Sequence, residues 1–259
     1  MSDKISQIKP GKLILIGCGP GSADLLTLRA VNRIQNVDLV LYDRLVDQEV
    51  LDLIPSDVEQ TYVGKENGDG GVQQSSLNNT ILENLKKGKR VARLKSGDPM
   101  VFGRAAEEIE VAAEVNAEVE IVPGVTAALA AASESIITVT ERSELQSFIV
   151  TTGKAADRNS SPDWSNIVKP GVCVAFYMGV GSAWKIQSSL MAAGVPENAS
   201  ADWVERAGQT DTRIVRSSLG RLANDSKVHN VKNPAILLVR YPYSLQNQQS
   251  VSSSTKTLG

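Results

Sequence analysis

Short apolar runs bounded by turn residues alternate with stretches whose apolar side chains return with helical periodicity, the pattern of βαβ units around a parallel sheet. In the first half of the chain the runs at 13–16, 39–42, 91–94 and 119–122 predict strands, and the periodic stretches at 26–35, 75–87 and 105–116 predict helices. The second half is less regular. Strands are expected there at 147–151, 172–177, 201–205, 213–216 and 235–240, with helices at 183–193 and 219–224. The long connection at 152–169 and the close spacing of the strands near Glu205 and Arg213 point to a mixed sheet. A boundary is expected at Pro123-Gly124, where a strand ends and an alanine-rich helix at 127–132 begins. The fold class is therefore α/β, with a parallel-sheet domain over 1–122, a mixed-sheet domain over 123–245 and a tail, 246–259, too polar to bury anything.

Composition narrows the picture. A chain of 259 residues favours two domains over one large core. With 42% hydrophobic, 22% charged and 4% aromatic residues, each half packs mainly on aliphatic side chains, which argues against disorder. No apolar run has the length of a membrane helix, and the opening residues lack the apolar stretch of a secretory signal, so a cytoplasmic location is expected. Lysine and arginine (27) nearly balance aspartate and glutamate (29), so no global field draws nucleic acid and any anionic ligand must be met by a local cluster. Cys18 and Cys173 each sit in an apolar run and read as buried thiols. With His229 the only histidine, neither a zinc site nor serine–histidine hydrolysis is expected.

Candidate chemistry gathers where strands end. Gly17-Cys18-Gly19-Pro20-Gly21 follows the first strand, a glycine loop that lets main chain approach a ligand. Pro20 removes an N–H, and Ser22 stands where a dinucleotide fingerprint would have glycine or alanine, so a nicotinamide enzyme is disfavoured. A bare strand-to-helix turn explains one such loop about as well. Asp43 follows the second strand and is open to three readings: ribose ligand, base or loop cap. Lys65, in Val63-Gly64-Lys65, reaches the same edge, although a solvated lysine is the commoner reading. Ser96-Gly97-Asp98-Pro99 forms a turn after another strand. Arg104 and Glu107 share a helix face, where spacing alone favours a surface ion pair.

Taken together and in order, from Leu13 to about Arg240, these segments resemble the tetrapyrrole methylases. The GxGPG loop and the Gly97-Asp98-Pro99 turn resemble the whole family. Tyr42-Asp43-Arg44-Leu45-Val46, Val63-Gly64-Lys65, the Phe102-Gly103-Arg104 to Glu107-Glu108 segment and Tyr177-Met178-Gly179 resemble its uroporphyrinogen-III C-methyltransferase branch. The resemblance implies two α/β domains with the active site in the cleft between them. It implies S-adenosylmethionine as methyl donor and S-adenosylhomocysteine as product, with no metal. Pro20, Ser96, Gly97, Asp98, Val101, Thr126, Ala127, Met178 and Ala207 fall at its cofactor positions. Asp43 and Lys65 match proton acceptor and proton donor, while Arg104, Glu107 and Arg142 match substrate positions.

The implied reaction is conversion of uroporphyrinogen III to precorrin-2 by methyl transfer to C2 and C7, a product that can feed sirohaem, cobalamin or haem d1 synthesis. A homodimer without nucleic-acid or membrane partners is implied as well. Because the sequence starts almost at its first strand, no further catalytic domain is expected ahead of it. Several positions depart from the pattern: Ser96 replaces a glycine, Ala105-Ala106 a glycine pair, Glu141 a histidine, and Ala207-Gly208 a Gly-Thr pair. They bear more on the substrate than on the cofactor. Three rival readings remain: a sister enzyme acting on a later corrin intermediate or on RNA or protein, a nucleotide-binding oxidoreductase, and a non-catalytic cofactor-binding module.

Overall fold

The computed structural model describes residues 9–64, 74–154 and 163–247. It divides into two compact units, Met1–Ala127 and Ala128–Gly259. In the first, β1 (Lys12–Gly17), β2 (Leu39–Tyr42), β3 (Glu59–Tyr62), β4 (Arg90–Lys95) and β5 (Glu118–Val122) form one parallel sheet in the order β3-β2-β4-β1-β5. Helices α1 (Leu28–Ile34), α2 (Gln48–Leu51), α3 (Gln74–Lys86) and α4 (Ala105–Glu114) complete it.

Side-chain alternation along the strands explains the layering. Ile14, Ile16, Ala92 and Leu94 face one way and pack with Ala30 and Ile34 of α1. Leu13, Leu15 and Val91 face the other way and pack with Leu77, Ile81 and Leu85 of α3 and Val111 of α4. β3 differs, since its residues, Glu-Gln-Thr-Tyr, are mostly exposed at the sheet edge. Helix α1 starts two residues later than the periodicity predicts: the Thr27 hydroxyl accepts the Ala30 N–H at 3.1 Å and caps it there, behind a single 3-10 turn at Ala23–Leu25.

In the second unit, α5 (Ala127–Glu134), which starts on the last residue of the first unit, precedes β6 (Ser147–Thr152), β7 (Val172–Tyr177), α6 (Ala183–Ala192), β8 (Ser200–Glu205), β9 (Arg213–Val215), α7 (Leu222–Val228) and β10 (Ala235–Tyr241). The strand order is β6-β7-β10-β8-β9. β6 and β7 are parallel and the remaining pairs antiparallel, so the sheet is mixed, as the spacing predicts. Its core holds Trp164, Phe176, Ile186, Leu190, Trp203, Leu222 and Leu237, with Trp164 edge-on to Phe176 at 5.9 Å. Residues 243–247 make a helical turn, so Gln246, where the polar tail was expected to start, is still ordered in the fold; residues 248–259 lie outside the described part. Among the described residues no helix is long and apolar enough to cross a membrane.

Candidate active site

Parallel strands all end at one edge, where the loops after β1 and β4 are joined by main chain and the loop after β5 is tied to them by the Asp98 side chain. The Cys18 N–H donates to the Lys95 carbonyl at 2.9 Å, and Gly19 and Gly97 exchange both N–H···O bonds, at 3.2 and 2.7 Å. Gly19 and Gly97 are left-handed, at φ 71° and 73°, a conformation that glycine adopts without strain. The loop after β5 closes on the same pair: a Cβ on Gly124 would lie 2.2 Å from the Gly97 carbonyl oxygen, and one on Gly17 would lie 2.5 Å from the Gly124 nitrogen. Asp98 fastens this arrangement. Its carboxylate accepts the Met100 N–H at 2.8 Å and the Gly124 N–H at 3.0 Å, so one side chain folds its own turn and ties it to the neighbouring loop.

Pro20, Ser96, Gly97, Asp98, Val101, Thr126 and Ala127 are all on these three loops or the helix start that follows them. Gly97 also supplies a test of whether a nucleoside donor fits. A Cβ there would meet the Ala127 nitrogen at 3.7 Å and Thr126 Cα at 3.9 Å, so this face of Gly97 looks onto main chain, as close main-chain binding of a ligand requires. Buried Pro20 and left-handed Gly19 likewise present backbone. An edge of this kind suits a ligand held by close main-chain approach.

Asp43 lies at the same edge, after β2. Its Oδ1 accepts the Leu45 N–H at 3.0 Å and its Oδ2 accepts Arg93 Nη2 at 2.6 Å. It is therefore a loop cap and an ion-pair partner together, and its side chain remains partly exposed. Arg93 comes from β4, where alternation puts Arg93 and Lys95 on the face of the sheet that packs against α4. Both are buried. Between them lies Glu108 of α4, only 1% exposed, its oxygens 2.8 and 2.7 Å from Lys95 Nζ and 3.5 Å from Arg93 Nε. Burial pushes the Lys95 pKa down while Glu108 opposes the shift. Burial pushes the Cys18 thiol up to about 12, so it is not a nucleophile.

Arg93, Lys95 and Glu108 were not assigned roles from the sequence. Contacts that span 50 and 13 residues cannot be read from local spacing. One signal is present: beyond Arg90 at the exposed start of β4, the strand carries two cations at alternate positions among apolar residues, Arg93 and Lys95, which mark a buried face that must hold an anion.

Arg104 adopts the left-handed conformation (φ 56°) at the N-cap of α4 and grips Glu107 through two bonds of 2.7 Å, mostly exposed. The pair forms as the spacing predicts. Lys65 lies outside the described residues.

In the second unit Met178 and Ala207 follow β7 and β8 at one edge of the sheet, flanking the start of β10. Met178 is left-handed (φ 55°) and 46% exposed, whereas Ala207 is buried. Gly153, after β6, belongs to the same edge: a Cβ on it would lie 2.4 Å from Gly179 Cα. Arg142 is not brought there. It precedes β6 and so lies at the opposite end of that sheet. Glu141 turns to Arg240, 2.8 Å away, and its charge is met within the unit. Among the described residues, no three His, Cys, Asp or Glu side chains are grouped to hold a metal.

Residues 12–223 match the profile of the tetrapyrrole (corrin/porphyrin) methylases. The chain belongs to this family. Among curated methylase relatives, siroheme synthase 2 of Yersinia enterocolitica is 39% identical over 246 residues, covering 95% of this chain and 52% of the relative. Siroheme synthase 1 of Aeromonas hydrophila is 37% identical over 252 residues, covering 97% and 54%. The chain thus spans about half the length of these relatives. Among solved structures, a uroporphyrin-III C-methyltransferase from Thermus thermophilus, complexed with S-adenosylhomocysteine, is 34% identical with a TM-score of 0.76, over 89% of this chain and 97% of that one. A cobalt precorrin-4 methyltransferase is 27% identical with a TM-score of 0.79, over 89% and 95%.

Proposed function

We propose that this methylase is a uroporphyrinogen-III C-methyltransferase that makes precorrin-2 with S-adenosylmethionine as donor. One observation carries the proposal: the glycine loop, the Gly97-Asp98-Pro99 turn and the Gly124 loop are bonded into a single main-chain surface, with Asp43 at the same edge. The similar Thermus thermophilus structure, complexed with S-adenosylhomocysteine, supports the choice of cofactor.

The donor supplies a sulfonium-activated methyl group, so neither metal nor protein nucleophile is needed for the transfer. The protein's task is alignment, which can contribute about 7 to 11 kcal/mol in favourable cases. Pro20, Gly97, Asp98, Val101, Thr126 and Ala127, with Ser96, Met178 and Ala207, are assigned to holding the cofactor. As the bond to the pyrrole carbon forms and the bond to sulfur breaks, the ring becomes cationic and must lose a proton. Asp43 is assigned as the acceptor, since its two fixed donors, Arg93 and the Leu45 N–H, hold the carboxylate in one orientation. Lys65 is assigned as proton donor on the family resemblance. Arg104 meets a substrate carboxylate, displacing or sharing Glu107, as a planar guanidinium suits. For Arg142 the family resemblance is the only support. We further assign a cytoplasmic homodimer built from an α/β pair of domains, 1–122 and 123–245, for which light scattering of the purified chain is the test of assembly.

Incubation with uroporphyrinogen III and methyl-labelled S-adenosylmethionine tests the function. Two labels per tetrapyrrole in a red-fluorescent product are expected. Labelling of a later corrin intermediate in preference would favour a sister activity, for which the likeness to the cobalt precorrin-4 enzyme gives a reason. Cofactor binding without transfer to any tetrapyrrole would overturn both.

A further inference from the structure

The buried ions under the Asp43 loop are more than a packing solution. Asp43, Arg93, Glu108 and Lys95 form a neutral chain of two anions and two cations: Asp43 to Arg93 at 2.6 Å, Arg93 to Glu108 at 3.5 Å, Glu108 to Lys95 at 2.7 Å. Glu108 is 1% exposed, and Arg93 and Lys95 are 6% and 5% exposed. Charges so removed from water are costly to keep, and a structural role could be filled by apolar side chains of similar volume. Their geometry suggests what they do instead.

Arg93 and Lys95 project from one face of β4, two residues apart and so separated by roughly 7 Å along the strand. Without an anion between them the two cations repel, and both feel the Asp43 carboxylate, Arg93 in contact with it and Lys95 through space. Glu108 is that anion. It takes Lys95 through both of its oxygens and lies beside Arg93 Nε, a buried nitrogen with no hydrogen bond of its own. Arg93 Nη1 is meanwhile fixed by the Leu94 carbonyl at 2.6 Å, leaving Nη2 aimed at Asp43. We propose that Glu108 is a positioning residue for the reaction: by engaging Lys95 and bracing Arg93, it makes Arg93 the one cation that orients the Asp43 carboxylate.

The inference rests on the reading of Asp43 as proton acceptor, and a double-mutant cycle separates the two. Methyl transfer to uroporphyrinogen III is measured for Asp43→Asn, Glu108→Gln and the double variant, with S-adenosylhomocysteine binding followed by calorimetry. Glu108→Gln is expected to lower kcat by about 10- to 100-fold, the scale of a small misplacement of a reacting group, while KM and cofactor Kd change less than about threefold. The double variant should be no slower than Asp43→Asn alone, because a positioner has nothing left to position. Normal turnover by Asp43→Asn would remove the proton-acceptor reading and this inference with it. A slow Asp43→Asn with a Glu108→Gln of normal kcat, or with effects that multiply in full, overturns the role of Glu108 and leaves Asp43 in place. Should Glu108→Gln fail to fold, Glu108→Asp replaces it, a carboxylate one methylene shorter that keeps the charge but withdraws it from Lys95 Nζ and Arg93 Nε. A loss of kcat in the same direction is expected, and wild-type turnover would refute the proposal.

Discussion

Buried charge is used differently in the two units. In the second, Asp202 and Glu205 of β8 and Asp225 of α7 each meet an arginine that is itself largely exposed: Arg216, Arg213 and Arg221. Those arginines lie on or near the short β9 segment and the helix that follows, and the pairs staple peripheral elements to an apolar core built on Trp203 and Phe176. In the first unit both members of the Lys95–Glu108 pair are sealed and Arg93 is nearly so, and the chain of ions ends at a partly open carboxylate beside the glycine loops. Ion pairs that reach the rim serve cohesion. A sealed array leading to one accessible group serves orientation, because only there does a low-dielectric setting fix a direction strongly.

Four measurements can break or sharpen this contrast. Asp43→Asn should lower turnover by about 10² to 10⁴, the usual scale for losing a general base, with little change in thermal midpoint. Normal turnover would put the first unit's array in the same structural class as the second's. Trp203→Ala should do the reverse within the second unit, costing about 3 to 5 kcal/mol in denaturant unfolding. A smaller effect is expected at Glu205. Burial alone would raise its pKa, but the hydrogen bond from Arg213, with that from the Lys232 N–H and the nearby charges, outweighs burial and the carboxyl titrates below its ordinary 4.5. A depressed carboxyl stabilises the fold above its unfolded pKa and loses that contribution as pH falls through the folded one. Glu205→Gln should therefore cost about 1 to 3 kcal/mol at pH 7, and the gap to wild type should narrow as scans move below pH 4.5. Least is expected of the exposed Arg104–Glu107 pair. Arg104→Ala should change stability by less than about 1 kcal/mol. Its KM for the tetrapyrrole should rise by about tenfold at similar kcat, and an unchanged KM would remove Arg104 from substrate binding.

The sequence announces the apolar strands of both sheets to within a residue or two, because a strand buried on both faces is an apolar run and little else resembles it. β3 is harder to bound, as an edge strand of polar residues carries no such pattern. The four-residue α2 gives too short a period to notice, although Asp47 caps it at 3.0 Å from the Glu49 N–H. The helix expected at 219–224 begins as a 3-10 turn and continues to Val228, a change of winding that spacing does not reveal. At the candidate site, glycine and proline betray loops whose main chain must come close, so the Gly19 and Gly97 segments are legible, while Asp43 is legible from its place at the end of the second strand. Glu108 is not, since its neighbour Glu107 has the same charge and only the phase of α4 decides which of the two enters the interior.

The glycine interlock at the first sheet's edge has a consequence for how a ligand is met. Gly19, Gly97, Gly124 and Asp98 satisfy one another's hydrogen bonds, so the surface they form is already set when a small molecule arrives. Little conformational entropy then remains to be lost at these loops on association, and the free energy of contact goes into holding the guest in a single pose. The shape of this surface is carried by main chain, which ordinary replacement of the surrounding side chains leaves untouched.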